Sequence, residues 1–232
     1  MSKKQYFAIL DTETTVANTV ADFAIVVCDR KGNVVNKCAV IIREEYQNHE
    51  LFYIQSSKSA WSLEYAKQKR KQYDTMLENG TRMLASVNAI NRWIEKCVAQ
   101  YNPTLTAYNL AFDLEKSRNT QIDLTPFQNK FCLWQAAVGN ICVKKQYRQF
   151  CVENHQFNNL TEHGNMTFKT GAETVFGYLN NQMVAEPHTA LEDAQDFELP
   201  ILVNILKKKN WQTKIMPYNW KQFQVKDNFV AK

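Results

Sequence analysis

Three β-rich runs open this chain in succession, 5–11 (QYFAILD), 22–29 (DFAIVVCD) and 35–42 (VNKCAVII), before any helical pattern begins. The last two are joined by Arg30-Lys31-Gly32-Asn33, whose Gly and Asn suit a tight hairpin turn. Such an opening commits the fold to a sheet, and the period then changes. Between Gly80 and Pro103, Leu84, Val87, Ile90, Ile94, Cys97 and Val98 recur at helical spacing, which predicts an amphipathic helix with Thr81 as its N-cap. A short strand is expected at 104–108, a helix from about Leu110, helices within 133–143, and closing helices over 170–179 and 189–208. Strands first, then helix alternating with strand, imply an α/β fold: a mixed sheet with helices on both faces.

A chain of 232 residues fits one domain with room to bury such a sheet, so 1–232 is expected to be a single domain. Two stretches stand apart from the pattern. Residues 43–75 are polar, aromatic and charged, a partly helical excursion, and 207–232 form a basic-aromatic tail. No apolar run approaches the ~18 residues of a membrane span, and MSKKQYFAIL leads straight into a strand, so a soluble cytoplasmic protein is expected. Six cysteines without CxxC pairing read as reduced thiols. The net charge of +5 is compatible with a polyanionic partner and by itself decides nothing.

The chemistry concentrates in three places. In Phe7-Ala8-Ile9-Leu10-Asp11-Thr12-Glu13 an apolar strand ends in two carboxylates, and strand alternation puts Asp11 and Glu13 on one face. Two like charges so close are most easily tolerated where a divalent cation neutralises them, although a solvated strand end is the plainer alternative. Tyr108-Asn109-Leu110-Ala111-Phe112-Asp113 carries a strand end through an Asn into a helical turn and places an acid there, a position that the helix dipole alone would also favour. In His188-Thr189-Ala190-Leu191-Glu192-Asp193, Thr189 and Glu192 form a capping-box pattern. That pattern puts His188 at N′ and Asp193 at N4, two positions that meet in space. Asp196 and Glu198, further along the same helix, read as the wrong choices for the site, with Asp196 a solvated acid.

Taken together, the order strand-DTE, Asn-x-x-Phe-Asp, then loop-His into helix-Asp resembles the DEDDh subgroup of the proofreading-type 3′→5′ exonuclease superfamily. Within it, KTGAETVF at 169–176 before HTALEDA at 188–194 is similar to phage-encoded members. The resemblance covers roughly half the chain and implies an RNase H-like fold. It further implies a cage of Asp11, Glu13, Asp113 and Asp193 for two Mg²⁺ or Mn²⁺ ions about 4 Å apart, with Asp11 bridging them. His188 would be the general base, its ordinary pKa of about 6.5 suiting it to take a proton from water at neutral pH. Thr14, Asn109 and Phe112 would meet the 3′-terminal nucleotide, Phe112 having a core-packing alternative.

The expected partner is therefore a nucleic acid, single-stranded DNA or RNA with a free 3′ end, hydrolysed to 5′-mononucleotides. No membrane is involved, oligomeric state is open, and a phage-encoded enzyme would work in the host cytoplasm. Two departures from the family pattern bear on substrate preference: Thr14-Thr15-Val16 lacks the glycine often found after DxETT, and Tyr108 stands where a His frequently precedes the Asn. The basic-aromatic stretch at 61–73, the run 144–148 and the run 207–211 each read as a phosphate track or as a solvated face. A zinc site from Cys142, Cys151, His155 and His163 fits no common ligand spacing. The competing reading of the whole is a catalytically silent nucleic-acid-binding or partner-docking module on the same fold.

Overall fold

The structure is a computed structural model that describes residues 4–48, 60–159 and 164–225, with only the backbone of 60–63. Part of the 43–75 excursion, the end of the tail and His163 lie outside the described residues. Strands β1 (Tyr6–Thr14), β2 (Val20–Asp29) and β3 (Val34–Ile42) come first, followed by helices α1 (Arg43–Asn48) and α2 (Ala60–Glu78). After them run β4 (Leu84–Ala85), α3 (Val87–Tyr101), β5 (Thr104–Ala107), α4 (Leu110–Asn119), β6 (Lys130–Cys132) and α5 (Leu133–Ala137). A π-helical turn at Val138–Cys142 leads to α6 (Lys145–Glu153) and α7 (Ala172–Asn180). The last long helix is continuous but irregular: α8 (Ala190–Glu192), a π-helical turn (Asp193–Glu198) and α9 (Leu199–Leu206), with α10 (Trp220–Phe223) beyond.

The sheet order is β4-β3-β2-β1-β5-β6. β1, β2 and β3 pair antiparallel, as the hairpin signal requires, and β5 and β6 add parallel to β1. In the hairpin, the Asp29 carboxylate accepts from the Lys31 and Asn33 amides at 2.8 and 3.1 Å, and Gly32 takes φ +90°. β2 is buried almost end to end because the sheet is covered on both faces. Phe7, Ile9, Val26 and Cys28 pack beneath α5, α6, α7 and α9. Ala8, Leu10, Ile25 and Val27 pack beneath α3 and α4. This is the expected mixed α/β sheet with helices on both faces.

Two local expectations fail. Helix α3 begins at Val87 rather than near Thr81, with Ser86 as N-cap accepting from the Ala89 amide at 3.3 Å. Leu84 belongs to β4, which pairs with Ile41 of β3, and the Thr81 hydroxyl donates to Asn79 at 2.8 Å. A two-residue strand set ahead of the helix mimics one more helical turn in the apolar pattern. The basic-aromatic tail joins the core: Trp211 and Phe223 are buried, and Trp211 packs against Phe7 and Phe131. All six cysteines are free, as expected. Among the described residues no helix is long and apolar enough to cross a membrane.

Candidate active site

Strand parity places the first two acids. Phe7 and Ile9 face the α9 side of the sheet, so Asp11 and Glu13 continue that face toward the C-terminal end of β1. β5 pairs with β1 only as far as Ile9–Thr106, which leaves the β1 edge free beside the acids. There Asn109, at φ +85°, turns the chain into α4 and brings Asp113 back to the strand. The Asp113 carboxylate accepts from the Thr12 hydroxyl at 2.8 Å and from the Thr12 amide.

The third element arrives from α8. Thr189 is the N-cap, and the Asp193 amide donates to the Thr189 carbonyl at 3.0 Å, so Asp193 sits one turn inside the helix. His188, at φ +53° and exposed, stands just outside it. Donor atoms of Glu13, His188 and Asp193 lie within 4.8 Å of one another. Asp11 and Asp113 are outside that trio, though the charges of Glu13, Asp113 and Asp193 all act on Asp11.

The reciprocal capping box itself does not form. The Thr189 hydroxyl donates to Glu192 at 2.7 Å instead of accepting from an amide, and the Ala190 amide donates to Asp22 at 2.9 Å. Asp22, opposite Glu13 in the sheet and buried at the helix start, takes the Ala190 amide, while the Thr189 hydroxyl is turned to the Glu192 carboxylate. Arg82 holds both Asp22 (3.5 Å) and Glu192, and the Tyr73 hydroxyl donates to Asp22 at 3.0 Å.

Glu198, set aside in the sequence, is part of the cluster. It is 3% exposed, its Oε1 accepts from the Tyr108 amide at 3.3 Å, and its charge acts on Asp11. An α-helix would turn residues five apart to different faces, whereas the π-helical turn, with its i→i+5 period, returns Glu198 toward the face of Asp193. Asp196 is exposed, as expected of a solvated acid. Glu186 is a sixth acid within electrostatic reach, acting on Glu13 and Glu198.

Burial dominates the electrostatics. It raises Asp11 well above the usual carboxylate range, reinforced by Glu198 and Glu13. Burial and then Asp193 push Glu13 up to about 8. Burial raises Asp113 to about 7 against the Thr12 hydrogen bonds, and Asp193 to about 7 against the pull of Lys69. Burial likewise lifts Glu186 to about 8 and Glu198 well above its ordinary value. His188 moves the other way, lowered by burial and by Lys69. Asp11 Oδ2, Asp193 Oδ1 and Glu198 Oε2 are buried without a hydrogen-bond partner. Protein donors therefore do not compensate these oxygens, and a hard divalent cation fits them.

Around the acids, Thr14 lies where the β1–β2 register shifts. Asn109 lines a cleft of about 450 Å³ with Tyr108, Trp134, Glu173 and Glu186. Phe112 is 40% exposed with the Lys116 ammonium 4.8 Å from its ring, so the core-packing alternative is overturned. Tyr108 donates through its hydroxyl to the Thr170 carbonyl at 2.7 Å. The 61–73 stretch is not a simple solvated face either. Tyr73 is fully buried and Lys69 is 6% exposed, its ammonium donating to the carbonyls of Pro187 and His188. Cys142 and Cys151 pack in the core, and no grouping with His155 forms among the described residues.

No protein-family model and no curated protein matches the sequence. Among solved structures, the zinc-ion-bound complex of E. coli exonuclease I with single-stranded DNA overlays at a TM-score of 0.44 and 13% identity, covering 90% of this chain and 41% of that one. A product-bound structure of exonuclease I overlays at 0.43 and 11% identity, covering 88% of this chain and 46% of that one. The chain thus spans less than half the length of these neighbours.

Proposed function

We propose that this chain is a metal-dependent 3′→5′ exonuclease of the DEDDh type, resembling phage-encoded members, that releases 5′-mononucleotides. One observation carries the reading: carboxylates from three separate chain segments converge in one cluster, in which Asp11, Asp193 and Glu198 each keep a buried oxygen without a hydrogen-bond partner, with an imidazole beside Glu13 and Asp193. Asp11, Glu13, Asp113 and Asp193 would hold two Mg²⁺ or Mn²⁺ ions, which when bound supply an acidified water and charge neutralisation at the phosphate. His188, its pKa held low by burial and by Lys69, is unprotonated at neutral pH and free to take the proton of the attacking water. Water oxygen bonds to phosphorus, the bond from phosphorus to the 3′-oxygen breaks, and the phosphate stays on the released nucleotide. Thr14, Asn109 and the exposed Phe112 would meet the terminal nucleotide.

The test is a gel of single- and double-stranded DNA and RNA, labelled at the 5′ or 3′ end, with Mg²⁺, with Mn²⁺ and with chelator. The expected result is a metal-dependent ladder shortening from the 3′ end. Full-rate degradation in chelator would sink the metal dependence. A labelled mononucleotide released first from 5′-labelled strands would reverse the polarity.

A further inference from the structure

We propose that Lys69 is a positioning residue of this site: from helix α2 it ties down the Pro187–His188 backbone and thereby sets where the His188 imidazole stands beside Glu13 and Asp193. The inference rests on the reading of His188 as the base. Helix α2 belongs to the excursion, which none of the three motifs covers, so nothing in their chemistry assigns it a task.

A lysine is rarely buried unless its ammonium is paired. Lys69 is buried at the foot of the His188 loop, and its Nζ donates to two successive carbonyls, Pro187 at 2.6 Å and His188 at 2.8 Å. His188 occupies the left-handed region at φ +53°, a conformation that costs a non-glycine residue free energy and persists only where its surroundings impose it. Two charge-assisted hydrogen bonds at that turn are such an imposition. His188 is exposed, although its surroundings partly desolvate the imidazole, so the backbone that carries it has a large part in setting its position.

That backbone is held from both sides by one face of α2. Lys69 and Tyr73 are four residues apart, hence one above the other on the helix surface. Lys69 grips the residues before the N-cap, and Tyr73 bonds Asp22, whose carboxylate receives the first amide of α8. The helix is seated in turn by Arg70, which donates to the Tyr46 carbonyl at 2.6 Å and lies over the Tyr46 ring.

Lys69 also lies within the electrostatic reach of Glu13 and Asp193, so a simple loss of rate in a Lys69 variant would not show that it acts through His188. A double-mutant cycle does. Turnover is measured for wild type, Lys69→Met, His188→Ala and the double variant, with Mn²⁺ affinity by calorimetry for each. Displacing a reacting group by about 1 Å costs up to about 10²-fold. Lys69→Met should therefore lower kcat about 10- to 100-fold with KM and Mn²⁺ affinity nearly unchanged, and should cost almost nothing further once His188 is alanine. Losses that multiply in the double variant, or an unchanged kcat in Lys69→Met, overturn the proposal while leaving the nuclease reading intact. If His188→Ala alone keeps full activity, the base assignment and this proposal fall together. A wild type without nuclease activity removes the function itself. Should Lys69→Met not fold, Lys69→Gln, which keeps one neutral donor, enters the same cycle with the same criteria.

Discussion

Two groups of acids lie side by side at the end of β1, and the protein treats them differently. Asp22 and Glu192 are compensated from within: Arg82 faces both, Tyr73 and the Ala190 amide bond Asp22, and Thr189 bonds Glu192. Asp11, Asp193 and Glu198 each keep a buried oxygen without a hydrogen-bond partner; Asp22 Oδ1 is likewise unbonded but has Arg82 Nε at 3.5 Å. Both groups suffer desolvation; Arg82 faces the first, while Lys69, bonded to the Pro187 and His188 carbonyls, acts on Glu13 and Asp193 of the second. A fold able to supply Arg82 to one cluster and not to its neighbour marks the neighbour as the place where charge is delivered from outside.

The comparison breaks most easily at Asp11. Asp11→Ala should abolish turnover, because the acid that couples to all its neighbours is gone, while metal-free stability stays level or rises as like-charge repulsion is relieved. Thermal melts in chelator alongside rate measurements check both halves. A collapse of folding would place Asp11 with the structural group instead.

Arg82→Met should do the reverse. It leaves the buried Asp22 without a facing cation, and breaking a buried pair costs about 3–5 kcal/mol. Denaturant titration reads the loss directly, and a cost below about 1 kcal/mol would remove the distinction between the two groups. Metal affinity per folded molecule should change far less than stability.

A pH series sharpens the contrast. In metal-free protein Asp113 and Asp193 titrate near 7 and Glu13 near 8, against ordinary values of 3.8 and 4.5. Between those limits the folded state binds more protons than the unfolded one, so stability falls as pH rises from about 5 to 8. His188, shifted downward, opposes only part of this. Excess Mg²⁺ or Mn²⁺ should flatten the fall and raise the melting temperature at pH 8, since a ligand bound only by the folded state stabilises it by mass action. A metal-free melting temperature that climbs through this window would contradict the raised carboxylates.

How much of this was legible in the sequence depended on the range of the cause. The β1, β2 and β3 runs and the shared face of Asp11 and Glu13 follow from alternation within a single strand and were readable. The approach of His188 to Asp193 follows from where one helix starts. Glu198 was not readable, because counting at 3.6 residues per turn sends it away from Asp193, and a π-helical turn announces itself in no residue type. Lys69 was invisible for another reason: its role exists only because α2 packs across the loop before α8, a contact between residues more than a hundred apart in sequence. Asp22 did leave a signal, an acid heading an otherwise apolar buried strand, which marks a charge that needs a partner. The two-residue β4 and three-residue β6 were too short to interrupt the periodicities around them.

The smallest effect concerns Thr189, where the expected capping box and the observed network make different predictions. In a capping box the hydroxyl accepts from a helix amide, and its removal costs about 1 kcal/mol while loosening the helix start that carries Asp193. In the structure the Thr189 hydroxyl accepts from no helix amide and instead donates to Glu192, which Arg82 already holds, while Asp22 takes the Ala190 amide at the helix start. Thr189→Ala should therefore cost at most about 1 kcal/mol, near the worth of one ordinary hydrogen bond, and leave kcat within a few-fold of wild type. Asp22→Ala is the informative partner: it frees the Ala190 amide, the Tyr73 hydroxyl and Arg82 together, and should cost several times more. Chemical denaturation of the two variants side by side decides the order. If Thr189→Ala proved the more damaging, the hydroxyl would be the cap after all, and the orientation of α8 would depend on its own first residue rather than on β2.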